Sequence, residues 1–120
     1  MELNDYQKKA MTTCMAESEN FAYMMLNLTG ELGEFASKVA KLIRKGQMRV
    51  TDNQLLIQRK LQDDSSINGE LKKEAGDILW QLSGLCNVMG WSLESVAQQN
   101  LDKLADRQRR NVIDGSGDNR

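Results

Sequence analysis

The sequence contains no histidine and no proline in 120 residues. Without histidine there is no Ser-His-Asp or Cys-His activation of a nucleophile, no histidine-ligated zinc and no Glu-x-x-His di-iron centre. Without proline the commonest helix stop is missing, so helices must end by other means. Aromatic residues make up only 5%, and the core must be built from leucine and methionine. The two cysteines, Cys14 and Cys86, stand far apart among apolar neighbours with no Cys-x-x-Cys spacing. They read as buried free thiols of a reducing compartment, not as a disulfide or metal pair. Sixteen basic residues against seventeen acidic ones leave a net charge of −1, and a general nucleic-acid binder would carry a basic excess. No uncharged run is long and apolar enough to span a bilayer, and no basic-then-apolar leader is visible. The expectation is a soluble, cytoplasmic protein with no nucleic-acid or membrane partner.

The length, 13.6 kDa, suits one domain over 1–120. Folding should bury roughly two-thirds of the extended chain's surface. A helical period dominates. Phe21, Met25, Leu28, Leu32, Phe35, Val39 and Leu42 recur at steps of four and three, which predicts a helix over 21–45 with one buried stripe. Lys41, Arg44 and Lys45 suit its negative end, and Gly46 closes it. A second long helix is predicted over 68–89, with the stripe Leu71, Ala75, Ile78, Leu82, Leu85 and Met89, closed by Gly90. Ser92 caps a helix to about 110, and a shorter one covers 4–19. The connection 46–69 is long for a helix pair. It is expected to be irregular, with a brief strand near 48–50, a short helix over 55–61 and a mobile polar loop over 62–68. The fold class is thus all-α, an antiparallel bundle of about four helices. The closing stretch 111–120 has turn composition and would be disordered alone.

The chemistry lies in an internal echo. Glu31-Leu32-Gly33-Glu34 and Glu74-Ala75-Gly76-Asp77 both read acid, apolar, glycine, acid, each in mid-helix. Like charges one turn apart repel by a few tenths of a kcal/mol, and a mid-helix glycine costs roughly 1 kcal/mol against alanine. Stability favours neither, and both recur. Glycine there would let a second helix or a ligand approach the backbone. With the two long helices side by side, Glu31, Glu34, Glu74 and Asp77 would converge. Carboxylates confined together need a cation. An oxygen-only set suits Mg²⁺, with Mn²⁺ as a substitute, and Mg²⁺ shares phosphate oxygens with its substrate. Glu70, one turn before Glu74, could join the cluster but is expected to be exposed.

Complementary charge lies on the last helix. Asn100, Lys103, Arg107 and Arg110 step along one face and could hold phosphate oxygens, or form an ordinary wet surface. Lys38 could contact phosphate or neutralise Glu34. Trp80 and Trp91 could stack on a base, Trp80 reading more readily as core or interface.

The paired acids, the run Glu74-Ala75-Gly76-Asp77-Ile78-Leu79-Trp80 and the segment Asn100-Leu101-Asp102-Lys103-Leu104 resemble the MazG-like nucleoside triphosphate pyrophosphohydrolases. The ending Gly115-Ser116-Gly117-Asp118-Asn119-Arg120 resembles a small single-domain branch of that group. The resemblance covers about 21–120 without the middle loop. It implies an all-α fold completed by oligomerisation, as a homodimer or homotetramer, and Mg²⁺-assisted hydrolysis of a nucleoside triphosphate to monophosphate and pyrophosphate. The family's metal ligands would fall on Glu31, Glu34, Glu74 and Asp77. Its phosphate contacts would fall on Lys38, Asn100, Lys103 and Arg107, with Asn119 and Arg120 in a tail ordered over nucleotide. Asn111 departs from the glycine common in the branch. Attack at the α or the β phosphorus stays open. The rivals are a non-catalytic helical interaction module and a same-fold enzyme restricted to dUTP or phosphoribosyl-ATP.

Overall fold

A computed structural model describes residues 1–57 and 67–120, which form four α-helices and one small hairpin. The order is α1 (Leu3–Met11), a 3₁₀ turn (Ala16–Ser18), α2 (Phe21–Arg44), β1 (Met48–Thr51), β2 (Gln54–Ile57), α3 (Ile67–Val88) and α4 (Leu93–Arg109). The chain is therefore mostly helical, as expected, with a two-stranded sheet inserted between the long helices.

Each long helix is started and stopped by local chemistry. Asn20 accepts the Tyr23 amide at 2.9 Å at the head of α2, and Ser92 accepts the Ser95 amide at 3.0 Å at the head of α4. With no proline available, α2, α3 and α4 end on left-handed residues: Gly46, Gly90 and Asn111. In each case the next amide reaches back across the turn, Gln47 to Leu42, Trp91 to Cys86 and Val112 to Arg107. Asn111 tolerates the positive φ that glycine usually takes here, so α4 closes in the same way as the other two.

The helix expected over 4–19 is shorter. It stops at Met11 because the Thr12 and Thr13 hydroxyls bond back to the Lys9 and Ala10 carbonyls at 2.6 and 2.7 Å, competing with helix continuation. The Trp80 indole then fixes that end by donating to Ala10 O and Thr13 Oγ1. Where a helix was expected over 55–61, residues 54–57 form a strand; 58–61 and 62–66 lie outside the described residues, and Ile67 and Asn68 already belong to α3. The hairpin pairs Met48 with Ile57 and Thr51 with Gln54. Asp52 and Asn53, both at positive φ, make its two-residue turn, the twist that suits a hairpin.

The centre of the molecule is the antiparallel α2–α3 pair. Met24 is fully buried and lies against Gly84, where an added Cβ would stand 2.5 Å from its sulfur. That close approach fixes how the helices are rotated. The face α2 turns inward carries Met24, Leu28 and Glu31, whereas Phe21, Met25 and Leu32 of the expected stripe remain exposed. The small core is Ala10, Met24, Met48, Leu71, Cys86 and Leu93. Both cysteines are free, Cys86 buried and Cys14 half-buried. Helix α1 bridges α3 and α4: Gln7 donates to Ser83 O and Trp91 O and accepts the Leu93 amide, while Asn4 accepts the Glu94 amide. No helix among the described residues is long and apolar enough to cross a membrane.

Candidate metal centre

The antiparallel register that puts Met24 against Gly84 also sets Glu31 beside Glu74 and Asp77. One carboxylate oxygen from each lies within 4.8 Å of the others. Each acid sits in mid-helix, so its position is set by helix packing and not by a loop. Glu34, the fourth expected ligand, is exposed and outside this triad. Its charge still raises the pKa of Glu31, which sets it at the rim of the cluster.

The electrostatics are those of crowded carboxylates. Burial raises the pKa of Glu31, and the charges of Glu34, Asp77 and Glu74 raise it further. Glu31 Oε2 and Glu74 Oε2 are both shielded from solvent and have no hydrogen-bond partner among the described residues. Buried carboxylate oxygens left unmatched are costly, and a cation seated among these acids would satisfy both. The donors are oxygen only, which fits a hard divalent ion such as Mg²⁺ or Mn²⁺.

Lys38 sits at the edge of the cluster. Its ammonium is 2.6 Å from Glu74 Oε1 and 3.6 Å from Glu70 Oε2. Its partner is therefore Glu74, where Glu34 was the expected one. Glu70 is exposed and tied to Lys73 as well. Tyr6 was not singled out by the sequence, because one tyrosine in a short polar helix carries no signal. Its hydroxyl pKa is raised by burial and by the charge of Asp77, which brings α1 to the acid cluster.

The basic face of α4 is engaged elsewhere. Lys103 and Arg107 both bond Asp118 Oδ1, at 3.1 and 2.8 Å. Arg107 is buried, its side chain only 5% exposed. Arg120 is folded into the backbone of 112–117, and Asn119 is exposed. Asn100 is exposed and lines a pocket of about 650 Å³ with Gln99, Lys103 and Asp118. In the sequence Asp118 belongs to the tail expected to order over nucleotide, with no partner of its own assigned. The glycines of the two acid motifs, Gly33 and Gly76, face open space. The helix–helix approach expected of them is made by Gly84.

Comparison with known proteins agrees with this geometry. The MazG nucleotide pyrophosphohydrolase domain matches residues 19–112. The chain belongs to this family. MazG membership implies pyrophosphohydrolase activity on a nucleotide, and the family is generally dependent on a divalent metal. The matched stretch contains both acid pairs and the whole of α4. A similar protein, "Gene 37 protein" of Mycobacterium phage L5, is 39% identical over 102 residues, covering 85% of this chain and 78% of its own length. No solved structure matches.

Proposed function

We propose that this MazG protein hydrolyses a nucleoside or deoxynucleoside triphosphate to the monophosphate and pyrophosphate, with Mg²⁺ as cofactor and Mn²⁺ as substitute. The observation that carries the reading is the convergence of Glu31, Glu74 and Asp77 with two shielded oxygens left unmatched. These three residues would hold the ion, with Glu34 completing the set from the rim. When bound, the ion supplies positive charge to triphosphate oxygens and eases attack at phosphorus.

The chain's own residues do the rest. A carboxylate of the cluster accepts a hydrogen bond from the attacking water and takes up its proton. Burial and the neighbouring acids raise the pKa of Glu31, and it is the carboxylate proposed for this step. Lys38, held by Glu74 and Glu70 at the edge of the cluster, would offer its ammonium to a phosphate oxygen of the substrate. Lys103 and Arg107 bring positive charge, and Asn100 an amide, to the bound triphosphate and add to its binding. Within one protomer Lys103 and Arg107 bond Asp118, and the α4 of a second copy is the proposed source of these groups for each acid cluster. The chain acts as one helical unit over 1–120, in a dimer or tetramer, and its two free thiols suit a reducing, cytoplasmic setting.

The test is pyrophosphate release from a panel of NTPs and dNTPs, with dUTP and phosphoribosyl-ATP included, in Mg²⁺ or Mn²⁺. Wild type should release pyrophosphate from at least one. Glu31→Gln and Asp77→Asn should each lower kcat by about a hundredfold or more while the helical circular dichroism stays intact. A wild-type chain silent on the whole panel, or variants as active as wild type, would leave only a helical interaction module.

A further inference from the structure

We propose that Asp118 is a positioning residue for nucleotide binding: anchored on the buried Arg107, it clamps 111–120 onto α4 and fixes Lys103 at the α4 pocket. The proposal rests on the triphosphate reading and deepens it, giving a part to a residue outside the acid cluster.

The starting point is Arg107. A guanidinium whose side chain is 5% exposed is costly to bury without an anion. Its one anionic partner among the described residues is Asp118, at 2.8 Å, and Gly117 O accepts a second, longer bond from the same nitrogen. Asp118 is itself 80% exposed, so the segment comes down to the arginine rather than the arginine reaching out to solvent. The same oxygen, Oδ1, also takes the Lys103 ammonium at 3.1 Å. One carboxylate oxygen thus pins two cations one helical turn apart.

The segment behind Asp118 is built to hold that position. Arg120 donates from Nε to Val112 O at 3.0 Å, from Nη1 to Gly117 O at 2.6 Å and from Nη2 to Ile113 O at 3.3 Å. Arg110 closes the knot by donating to Arg120 O at 2.6 Å. Gly117 turns the chain at φ +76°, and Gly115 leaves the space that the Arg120 side chain fills. This is a folded latch, and its carboxylate forms part of the pocket wall beside Asn100 and Lys103.

Lys103 has three N–H donors. One is committed to Asp118, which leaves two for a ligand in a fixed place. Holding the wall in advance removes the ordering cost that a loose segment would impose on binding. Loss of the Asp118 charge should therefore weaken nucleotide binding and spare the hydrolytic step, whose acids lie on α2 and α3.

The test compares wild type, Asp118→Asn and Asp118→Glu as full chains. Three readouts are taken: amide hydrogen exchange over 111–120, affinity for a triphosphate analogue non-hydrolysable at both the α–β and β–γ bridges with Mg²⁺, and KM and kcat for pyrophosphate release. Asp118→Asn should speed exchange over 111–120 and raise both Kd and KM about tenfold with kcat within about twofold of wild type; Asp118→Glu should recover most of the loss. Unchanged Kd and KM, or a fall confined to kcat, would overturn the proposal even if exchange speeds up. A wild type that binds the analogue but releases no pyrophosphate defeats the hydrolytic reading alone, and the clamp is then judged on Kd and exchange. A wild type that binds no nucleotide defeats both.

Discussion

Glu31 shows how a single side chain links the fold to its chemistry. Burial first, and then the charges of Glu34, Asp77 and Glu74, raise its pKa. The folded chain therefore holds this proton more tightly than the unfolded chain does. Between the ordinary carboxyl range and the raised value the folded state binds more protons, so the Glu31 contribution to stability falls as pH rises through that window. A divalent ion needs the ionised form and should expel the proton. Calorimetric titration with Mn²⁺ at mildly acidic pH, in two buffers of different ionisation enthalpy, should show proton release that Glu31→Gln abolishes. Identical heats after buffer correction, with no release in wild type, would refute the coupling. The i, i+3 spacing of the acids was legible in the sequence because helix geometry fixes it. That Glu34 points to the rim, and that Lys38 bonds Glu74, was not, because both depend on how each helix is rotated about its own axis.

At the scale of elements, that rotation is set by the contact of Gly84 with Met24. Met24 has no exposed surface, so a Cβ at position 84 would meet its sulfur at 2.5 Å and the buried thioether would have to repack. Gly84→Ala should destabilise the chain by about 1–3 kcal/mol, the usual cost of overpacking. Gly33→Ala and Gly76→Ala face open space and should stabilise the helices by up to about 1 kcal/mol each. Urea melts measure all three, and a neutral Gly84→Ala would mean that another contact sets the helix pair. A similar comparison applies to the end of α4. Asn111→Gly should be tolerated, while Asn111→Val should lower the melting temperature, because a β-branched residue resists the left-handed conformation. The long helices were legible from their period, from caps such as Ser92 and from the glycine stops. The first strand of the hairpin was legible near 48–50, but the second was not, because Leu55-Leu56-Ile57 is a continuous apolar run without the alternation that marks a strand. The end of α1 was missed because it depends on two threonine hydroxyls and on an indole 67 residues away.

At the scale of the whole molecule, the protomer is open. Its radius of gyration is 17.6 Å, against about 14 Å for a compact domain of this length. The difference goes with a helical surface that is unusually apolar on one side of α2: Phe21 is 56% exposed, Leu32 53% and Met25 38%. Single exposed apolar residues are ordinary, but a row of them along one long helix is the kind of surface a second copy would cover. Leu32 is the most telling of the three, because it lies between Glu31 and Gly33 in the acid motif and would put any partner beside the candidate metal centre. The expected outcome is that light scattering gives at least twice the 13.6 kDa chain mass at micromolar concentration. Leu32→Glu, which buries a charge in that face, should weaken association about tenfold or more. Activity should fall in step with the oligomer if a second copy's α4 completes each site, and raising the protein concentration should restore both together. A wild type that sediments as a single chain and still turns over nucleotide would show that one protomer suffices.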